Sequence, residues 1–190
     1  MKTVSIKEIM VPLNEYATVP EEATLAEAIS ALDKAQENLC QTKYRHRAIL
    51  VLDKEQQPIG KISQIDALRA LEPKYKEIQG QDTRGAFRHF SRMFLNSMVE
   101  YHRLFDGSLE DMRKKAASIH VRDFMHTLSA EECIHEDATL DEAIHLLIMG
   151  HQQSLLVTRA DTIVGILRLT DVFSAVFQPL ATSDAETLKS

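Results

Sequence analysis

The sequence has little cysteine and no recognisable metal-binding pattern. Its two cysteines, Cys40 and Cys133, belong to neither a CxxC motif nor a Cys/His spacing typical of zinc sites. None of the eight histidines is separated from another by the i, i+4 spacing of a helical ligand pair. We therefore expect both cysteines to be buried thiols, and we predict no metal site.

Long apolar runs and an excess of positive charge are also lacking. No run approaches the ~18 residues that a membrane-spanning helix needs, and the first residues do not have the order of a signal peptide. The formal net charge is −6, whereas non-specific nucleic-acid binding requires clustered Lys and Arg. We expect a cytoplasmic protein with no membrane insertion and no nucleic-acid partner.

Motifs that carry catalysis are missing as well. The sequence contains no GxSxG phrase, no Walker A phrase and no nucleophile with an identifiable base. We predict no catalytic residues, and therefore a protein that is not an enzyme.

The most informative feature of the sequence is an internal repeat. IKEIMVP (6–12) matches VRDFMHT (121–127), and TVPEEATLAEAISAL (18–32) matches CIHEDATLDEAIHLL (133–147), both at a shift of 115. RAILVLD (47–53) matches QSLLVTR (153–159), and PIGKISQIDAL (58–68) matches IVGILRLTDVF (163–173) at a shift of 105. The first copy therefore carries about ten additional residues around KAQENLCQTKY (34–44).

Each copy predicts the same order of elements. Apolar residues at helical spacing follow Thr24 in the first copy and Thr139 in the second, and each threonine begins a capping-box pattern with a glutamate three residues later. AILVL and SLLV are apolar runs typical of buried strands, and PIGKI and IVGIL predict neighbouring strands. The fold class is α/β (α+β), with two strand-helix-strand-strand-helix units that bury their small cores against each other.

These residues resemble a tandem pair of CBS domains, a Bateman module. The resemblance rests on the element order, the DATLDEAI helix start and the Gly-aliphatic-polar-x-x-Asp phrase in both copies. It implies two sheets packed about a pseudo-twofold axis, two clefts for adenosine-containing ligands and a homodimer. We expect a first domain at 1–72, an inserted helical linker at 73–118, a second domain at 119–180 and a C-terminal tail at 181–190.

The resemblance also implies site residues. Asp66 and Asp171 would accept hydrogen bonds from ribose hydroxyls, and Ser63 would lie near a phosphate. An alternative is that Ser63 and Asp66 only form a capping box and that Asp171 only begins a helix. The remaining cleft residues implied by the resemblance are Thr18, Val19, Arg47 and Ala48 in the first copy and Ile134 and Ser154 in the second.

The second copy departs from the pattern because Arg168 stands where Ser or Thr is expected. This arginine either contacts a polyphosphate or closes the cleft by pairing with an acid such as Asp171. The two clefts are therefore predicted to be unequal. YRHR (44–47) is a basic cluster that either meets phosphate or is a solvated loop.

The linker predicts two helices. Phe87, Phe90, Phe94, Met98, Tyr101 and Leu104 or Phe105 form one helical stripe within 86–105, and we expect Gly107 to end that helix. SLED (108–111) predicts the capping box of a second helix. The aromatic stripe packs on the module or on the insert of a second subunit, or its helix docks another protein or is a lever that ligand binding moves.

The sequence favours a stand-alone regulatory module that binds an adenine nucleotide or adenosyl ligand. AMP, ADP, ATP and S-adenosylmethionine are the candidate regulatory ligands, and we expect no required cofactor. Occupancy would be signalled to a partner protein. The alternative is a ligand-free structural or interaction module that acts through the aromatic inserted helix.

Overall fold

The computed structural model describes residues 4–37, 45–75 and 91–177, and contains two four-stranded sheets. One sheet has the order β2-β3-β4-β5 and the other has the order β1-β8-β7-β6. The strands are β1 Val11–Pro12, β2 Thr18–Pro20, β3 Ala48–Leu52, β4 Pro58–Ser63, β5 His126–Thr127, β6 Cys133–His135, β7 Ser154–Arg159 and β8 Thr162–Arg168.

Helices complete the two predicted units. They are α1 Ile6–Ile9, α2 Leu25–Glu37, α3 Gln64–Leu71, α4 Arg92–His102, α5 Leu109–Ser118, α6 Leu140–Met149 and α7, which includes residues 169–177. The first unit is β2-α2-β3-β4-α3 and the second is β6-α6-β7-β8-α7, so the strand-helix-strand-strand-helix order is confirmed in both.

The capping predictions are confirmed in the first copy more fully than in the second. Glu27 Oε2 accepts from the backbone N–H of Thr24 at 2.7 Å, and Thr24 Oγ1 accepts from the N–H of Glu27 at 3.3 Å. At the second copy, Thr139 Oγ1 accepts from the N–H of Glu142 at 3.4 Å. Both threonines therefore begin their helices as the pattern predicts.

The two units exchange a strand. β1 precedes the first unit but pairs antiparallel with β8 of the second, in the register Val11↔Ile166. β5 precedes the second unit but pairs antiparallel with β4 of the first, in the register Lys61↔His126. The sequence repeat at 6–12 and 121–127 corresponds to these exchanged segments, so each segment completes the sheet of the other unit.

The hydrophobic cores follow the same exchange. Ile6 packs in the core of the second unit and Val121 packs in the core of the first. A further cluster lies between the two sheets and contains Val11, Tyr16, Leu50, Leu156 and Ile166. Because the sheets bury apolar side chains on both faces, burial holds the units against each other.

Within the described residues, the second helix between the units packs against the first unit. Ala116 of α5 packs with Leu25 of α2 and Ala70 of α3, and the Lys115 ammonium donates to the carbonyl oxygen of Leu71. The predicted Ser108 capping box is confirmed, since Asp111 Oδ2 accepts from the N–H of Ser108 at 3.0 Å. α5 is therefore fixed on the helices of the first unit.

The prediction that Gly107 ends the aromatic helix is wrong. α4 ends at His102, because Arg103 adopts a left-handed conformation with φ 49°. Lys74 Nζ donates to the carbonyl oxygen of Arg103 at 2.9 Å, and Glu72 Oε2 accepts from the N–H of Phe105 at 2.8 Å. These bonds fix the turn after α4.

The stripe is less covered than expected. Phe87 and Phe90 lie outside the described residues, Leu104 is buried, and α4 itself contains no buried residue. Tyr101 is 84% exposed. Within the described part of the chain, no helix is long and apolar enough to cross a membrane.

Candidate functional site

A cavity of about 560 Å³ lies between the two units and is lined by residues of both. Its volume is within the range of small-molecule sites. Six of the residues that the family resemblance implies line this cavity, and they come from the ends of β4 and β8, the starts of β3, β7 and α3, and the residue before β3: Arg47, Ala48, Ser63, Asp66, Ser154 and Arg168.

The remaining implied residues do not line it. Val19 and Ile134 are buried in the cores of the first and second units. Thr18 lies in β2, where it pairs with Leu50 of β3. Asp171 is not a lining residue, but it pairs with Arg168, which is one. Their contact with a ligand stays a prediction.

Ser63 and Asp66 form a capping box at the start of α3. Asp66 Oδ2 accepts from the N–H of Ser63 at 2.9 Å and from its hydroxyl at 2.6 Å, and Ser63 Oγ accepts from the N–H of Asp66 at 3.2 Å. Oδ1 lies 3.7 Å from Arg69 Nη1. Because Gln64 and Ile65 also line the cavity, the first turn of the helix borders it, and the helix dipole favours an anion there. The N–H of Gln64 donates to the carbonyl oxygen of Arg47 at 3.3 Å.

Arg168 and Asp171 form a bidentate ion pair. Arg168 Nε donates to Asp171 Oδ2 at 2.6 Å, and Nη2 donates to Oδ1 at 2.6 Å. The two side chains are 7% and 12% exposed. The pairing that the sequence offered as one alternative for Arg168 is therefore present in this structure.

Tyr16 and His46 continue this cluster into the first unit. Their rings pack edge to face with centroids 4.4 Å apart, and His46 Nδ1 lies 3.5 Å from Arg168 Nη1. Burial and, after it, the charge of Arg168 hold the pKa of His46 below its ordinary value. Burial raises the pKa of Tyr16 to about 12. Both rings are therefore neutral at pH 7.

An ion pair joins the two units at another wall of the cavity. Lys61 Nζ lies 2.6 Å from Glu132 Oε1, and His126 Nε2 lies 3.3 Å from Glu132 Oε2. Burial raises the pKa of Glu132, but the hydrogen bond and charge of Lys61 together with His126 outweigh it and lower the pKa. No motif marks these residues in the sequence, because the exchange of β5 brings them together.

The cavity is basic at its mouth. Arg45 and Arg47 are exposed lining residues, so two residues of the YRHR cluster contribute to the cavity, whereas Tyr44 lies outside the described residues. Lys61 and Arg168 also line it, but each already pairs with an acid. A ligand with hydroxyls near Asp66 and an anionic group near the two exposed arginines fits this arrangement.

The described residues offer no metal centre. Within 4–37, 45–75 and 91–177, no group of three or more His, Cys, Asp or Glu side chains is arranged to hold a metal ion. Cys133 is a free, half-buried thiol whose pKa is raised by burial, and Cys40 lies outside the described residues.

Comparison with known proteins identifies the fold. Residues 6–73 and 121–178 each match the sequence model of the CBS domain. Among solved structures, the CBS-pair protein CBSX2 from Arabidopsis thaliana is similar with a TM-score of 0.59 at 17% identity, and the match covers 95% of this chain and 99% of that one. No curated protein matches the chain.

Two further structures agree. A structure of CBSX2 in complex with AMP has a TM-score of 0.57 at 20% identity, and the match covers 92% of this chain and 97% of the CBSX2 chain. The CBS domain of a CBS domain-containing membrane protein from Sphaerobacter thermophilus has a TM-score of 0.59 at 14% identity, with coverages of 92% and 88%. At these identities the likeness is one of fold.

Proposed function

The chain belongs to the CBS domain family and contains two of these domains, and we propose that it is a regulatory module that binds an adenine nucleotide or adenosyl ligand in the cavity between them. Occupancy would shift the angle between the domains and pass to a partner protein, to the extent that the ligand favours one arrangement. The protein would need no further cofactor and would have no catalytic role.

One observation carries the proposal: the same cavity is lined by Ser63 and Asp66 of one domain and by basic residues of both domains. A carboxylate accepts hydrogen bonds from vicinal hydroxyls, and the first turn of α3 with the exposed Arg45 and Arg47 favours an anion. These groups suit a phosphorylated ribose. The AMP complex of CBSX2 supports the choice of adenine nucleotides as probes.

Calorimetric titration with AMP, ADP, ATP and S-adenosylmethionine tests the proposal. Saturable binding of at least one ligand is expected, and Asp66→Asn is expected to weaken it by roughly tenfold to a hundredfold, since a hydrogen bond to a charged group is lost. No heat from any of the four ligands would refute the proposal.

The chain provides a matched control for Asp66→Asn. The Ser108–Asp111 capping box at α5 has distances of 3.0, 2.6 and 3.2 Å, against 2.9, 2.6 and 3.2 Å at Ser63–Asp66. Asp111→Asn therefore removes the same capping carboxylate at a helix that does not line the cavity. Equal weakening by both substitutions would assign the effect to helix stability rather than to ligand contact.

A ligand-free interaction module is the second candidate function. It is favoured by the ion pair of Arg168 and Asp171, which already fills space between the domains, and by the exposure of Tyr101 and Met93 on α4. It predicts no thermal shift with any nucleotide and partner capture that does not respond to nucleotide. The calorimetric experiment therefore separates the two candidates.

We also propose a homodimer. Leu68 of α3 and Phe173 of α7 are 58% and 57% exposed and occupy equivalent positions of the two repeats. Ile65 and Leu169, which line the cavity, lie in the first turns of the same two helices, so both helices begin at the cavity. Exposed apolar residues at equivalent positions of two such helices favour burial against a second copy.

A further inference from the structure

We infer that Arg168 closes the position at Asp171, which the repeat makes equivalent to the Ser63–Asp66 site. Each chain would therefore hold one nucleotide, at the Ser63–Asp66 site. The inference rests on the proposed function and names its stoichiometry. It follows from the different surroundings of Asp66 and Asp171, two aspartates at equivalent positions of the repeat.

The equivalence is structural as well as sequential. Ser63 ends β4 and pairs with Ala48, the first residue of β3. Arg168 ends β8 and pairs with Ser154, the first residue of β7. Asp66 and Asp171 each follow three residues later, in the first turn of a helix. Arg168 therefore stands in the second domain where Ser63 stands in the first.

The two carboxylates differ in what they have left to offer a ligand. Both oxygens of Asp171 accept from Arg168 at 2.6 Å, and its side chain is 12% exposed. Asp66 uses Oδ2 for its capping box, its Oδ1 lies 3.7 Å from Arg69 Nη1, and its side chain is 25% exposed. Hydroxyls of a ligand can reach Asp66 but would have to displace a guanidinium to reach Asp171.

Displacement of Arg168 is unfavourable because the guanidinium is held from two sides. Asp171 binds two of its nitrogens, and His46 of the other domain lies 3.5 Å from a third. The arginine side chain is 7% exposed, and breaking such a pair leaves charges buried without a partner. A pair of neutral hydroxyls does not compensate for the loss of this ion pair. Asp171 therefore stays paired with Arg168 instead of binding the ligand.

Calorimetric stoichiometry with AMP tests the inference in three proteins. We expect one AMP per wild-type chain and two per Arg168→Ser chain. Serine removes the guanidinium and is expected to form with Asp171 a capping box like that of Ser63 and Asp66. Ser63→Arg introduces the closing side chain into the first site and is expected to weaken binding at least about tenfold.

An exchange variant makes the test independent of overall affinity. In Ser63→Arg/Arg168→Ser, the arginine closes the position at Asp66 and the serine opens the position at Asp171. One AMP should therefore bind, and its binding should depend on Asp171 rather than on Asp66. Adding Asp171→Asn should abolish that binding, whereas adding Asp66→Asn should leave it within about twofold. Circular dichroism and thermal unfolding establish that each variant is folded.

The outcomes separate this inference from the proposed function. Two AMP molecules per wild-type chain, or one per folded Arg168→Ser chain, would overturn closure by Arg168 while leaving nucleotide binding intact. Binding to Arg168→Ser alone would support closure and refute the first site. No binding to either protein would overturn both. If Arg168→Ser does not fold, Asp171→Asn decides: retained binding supports closure, and lost binding overturns it.

Discussion

A Cβ added to Gly165 would stand 2.6 Å from the carbonyl oxygen of Val11, because β1 crosses β8 at this glycine. The same Cβ would lie 3.0 Å from Met10 Sδ. Gly60, 105 residues earlier, is the equivalent residue where β4 pairs with β5, and a Cβ added there would overlap the side chain of Met125. The repeated glycine therefore makes room for the segment that each domain receives from the other.

We predict that Gly165→Ala lowers the free energy of unfolding by about 1–3 kcal/mol, because a backbone carbonyl cannot move aside without displacing β1. Urea denaturation measures the change. Gly107→Ala is the control, since its Cβ would lie 3.5 Å from Asp111 Cβ and 3.8 Å from Asp111 Oδ2, which are ordinary contacts. Equal effects at the two glycines would contradict the explanation.

Gly60→Ala should be less damaging than Gly165→Ala. Its Cβ would overlap the Sδ of Met125, and a methionine side chain is flexible enough to shift. The double variant Gly60→Ala/Met125→Ala should therefore be more stable than the sum of the two single changes predicts, by on the order of 0.5–1 kcal/mol. Strict additivity of the two substitutions in urea denaturation would show that the contact does not matter.

The repeat made the order of elements predictable, because each copy carries its own caps and apolar runs. Thr24 and Thr139 cap the helices that their sequences indicate. The strand exchange was not predictable, since two-residue strands such as Val11–Pro12 have no periodicity of their own and are defined by the partner they meet.

The site was predictable only in part. The Ser-x-x-Asp phrase pointed to Ser63 and Asp66, which line the cavity. Lys61, His126 and Glu132 were missed because tertiary contacts bring distant segments together there. The end of α4 was misplaced because Arg103, rather than a glycine, adopts the left-handed conformation.

The proposed homodimer leads to a prediction about two apolar side chains. Leu68→Asp/Phe173→Asp should convert a dimer to a monomer, because carboxylates would be buried in the interface without partners. Sedimentation equilibrium measures the change. Met93→Asp is the control, since Met93 is exposed on α4, outside the proposed interface. A wild-type monomer at micromolar concentration, or dissociation by Met93→Asp alone, would refute this surface.

Glu132→Gln should strengthen binding of an anionic nucleotide severalfold, on the order of 1 kcal/mol. The substitution leaves the charge of Lys61, a cavity residue, without its carboxylate partner. The gain should be larger for ATP than for AMP and should diminish with added salt. Calorimetry in low and high salt measures both effects.

Glu136→Gln is the matched control for Glu132→Gln. Glu136 is also buried and paired, with Arg159 Nε at 2.6 Å, but it does not line the cavity. Its loss should leave nucleotide affinity unchanged. A similar gain in both variants would indicate an effect of net charge rather than of Lys61.

His46 should make stability depend on pH in a defined direction. Burial and Arg168 lower the pKa of His46 in the folded protein, and Glu15 and Asp171 oppose this less strongly. The unfolded chain therefore takes up a proton at His46 before the folded one does as pH falls below about 6.5. Stability from this residue is full above that pH and is lost on acidification toward the folded-state pKa.

Urea denaturation between pH 7.5 and 5 measures this loss of stability. The range stops at about pH 5 to avoid carboxylate titration. The free energy of unfolding should fall by up to about 1.4 kcal/mol per pH unit. His46→Gln, which keeps a polar side chain but cannot take up a proton, should flatten the dependence. His145→Gln, at an exposed histidine of α6, should leave it unchanged. An unaltered slope in His46→Gln would mean that another group senses the proton, and the buried contact between His46 and Arg168 would then be pH-independent.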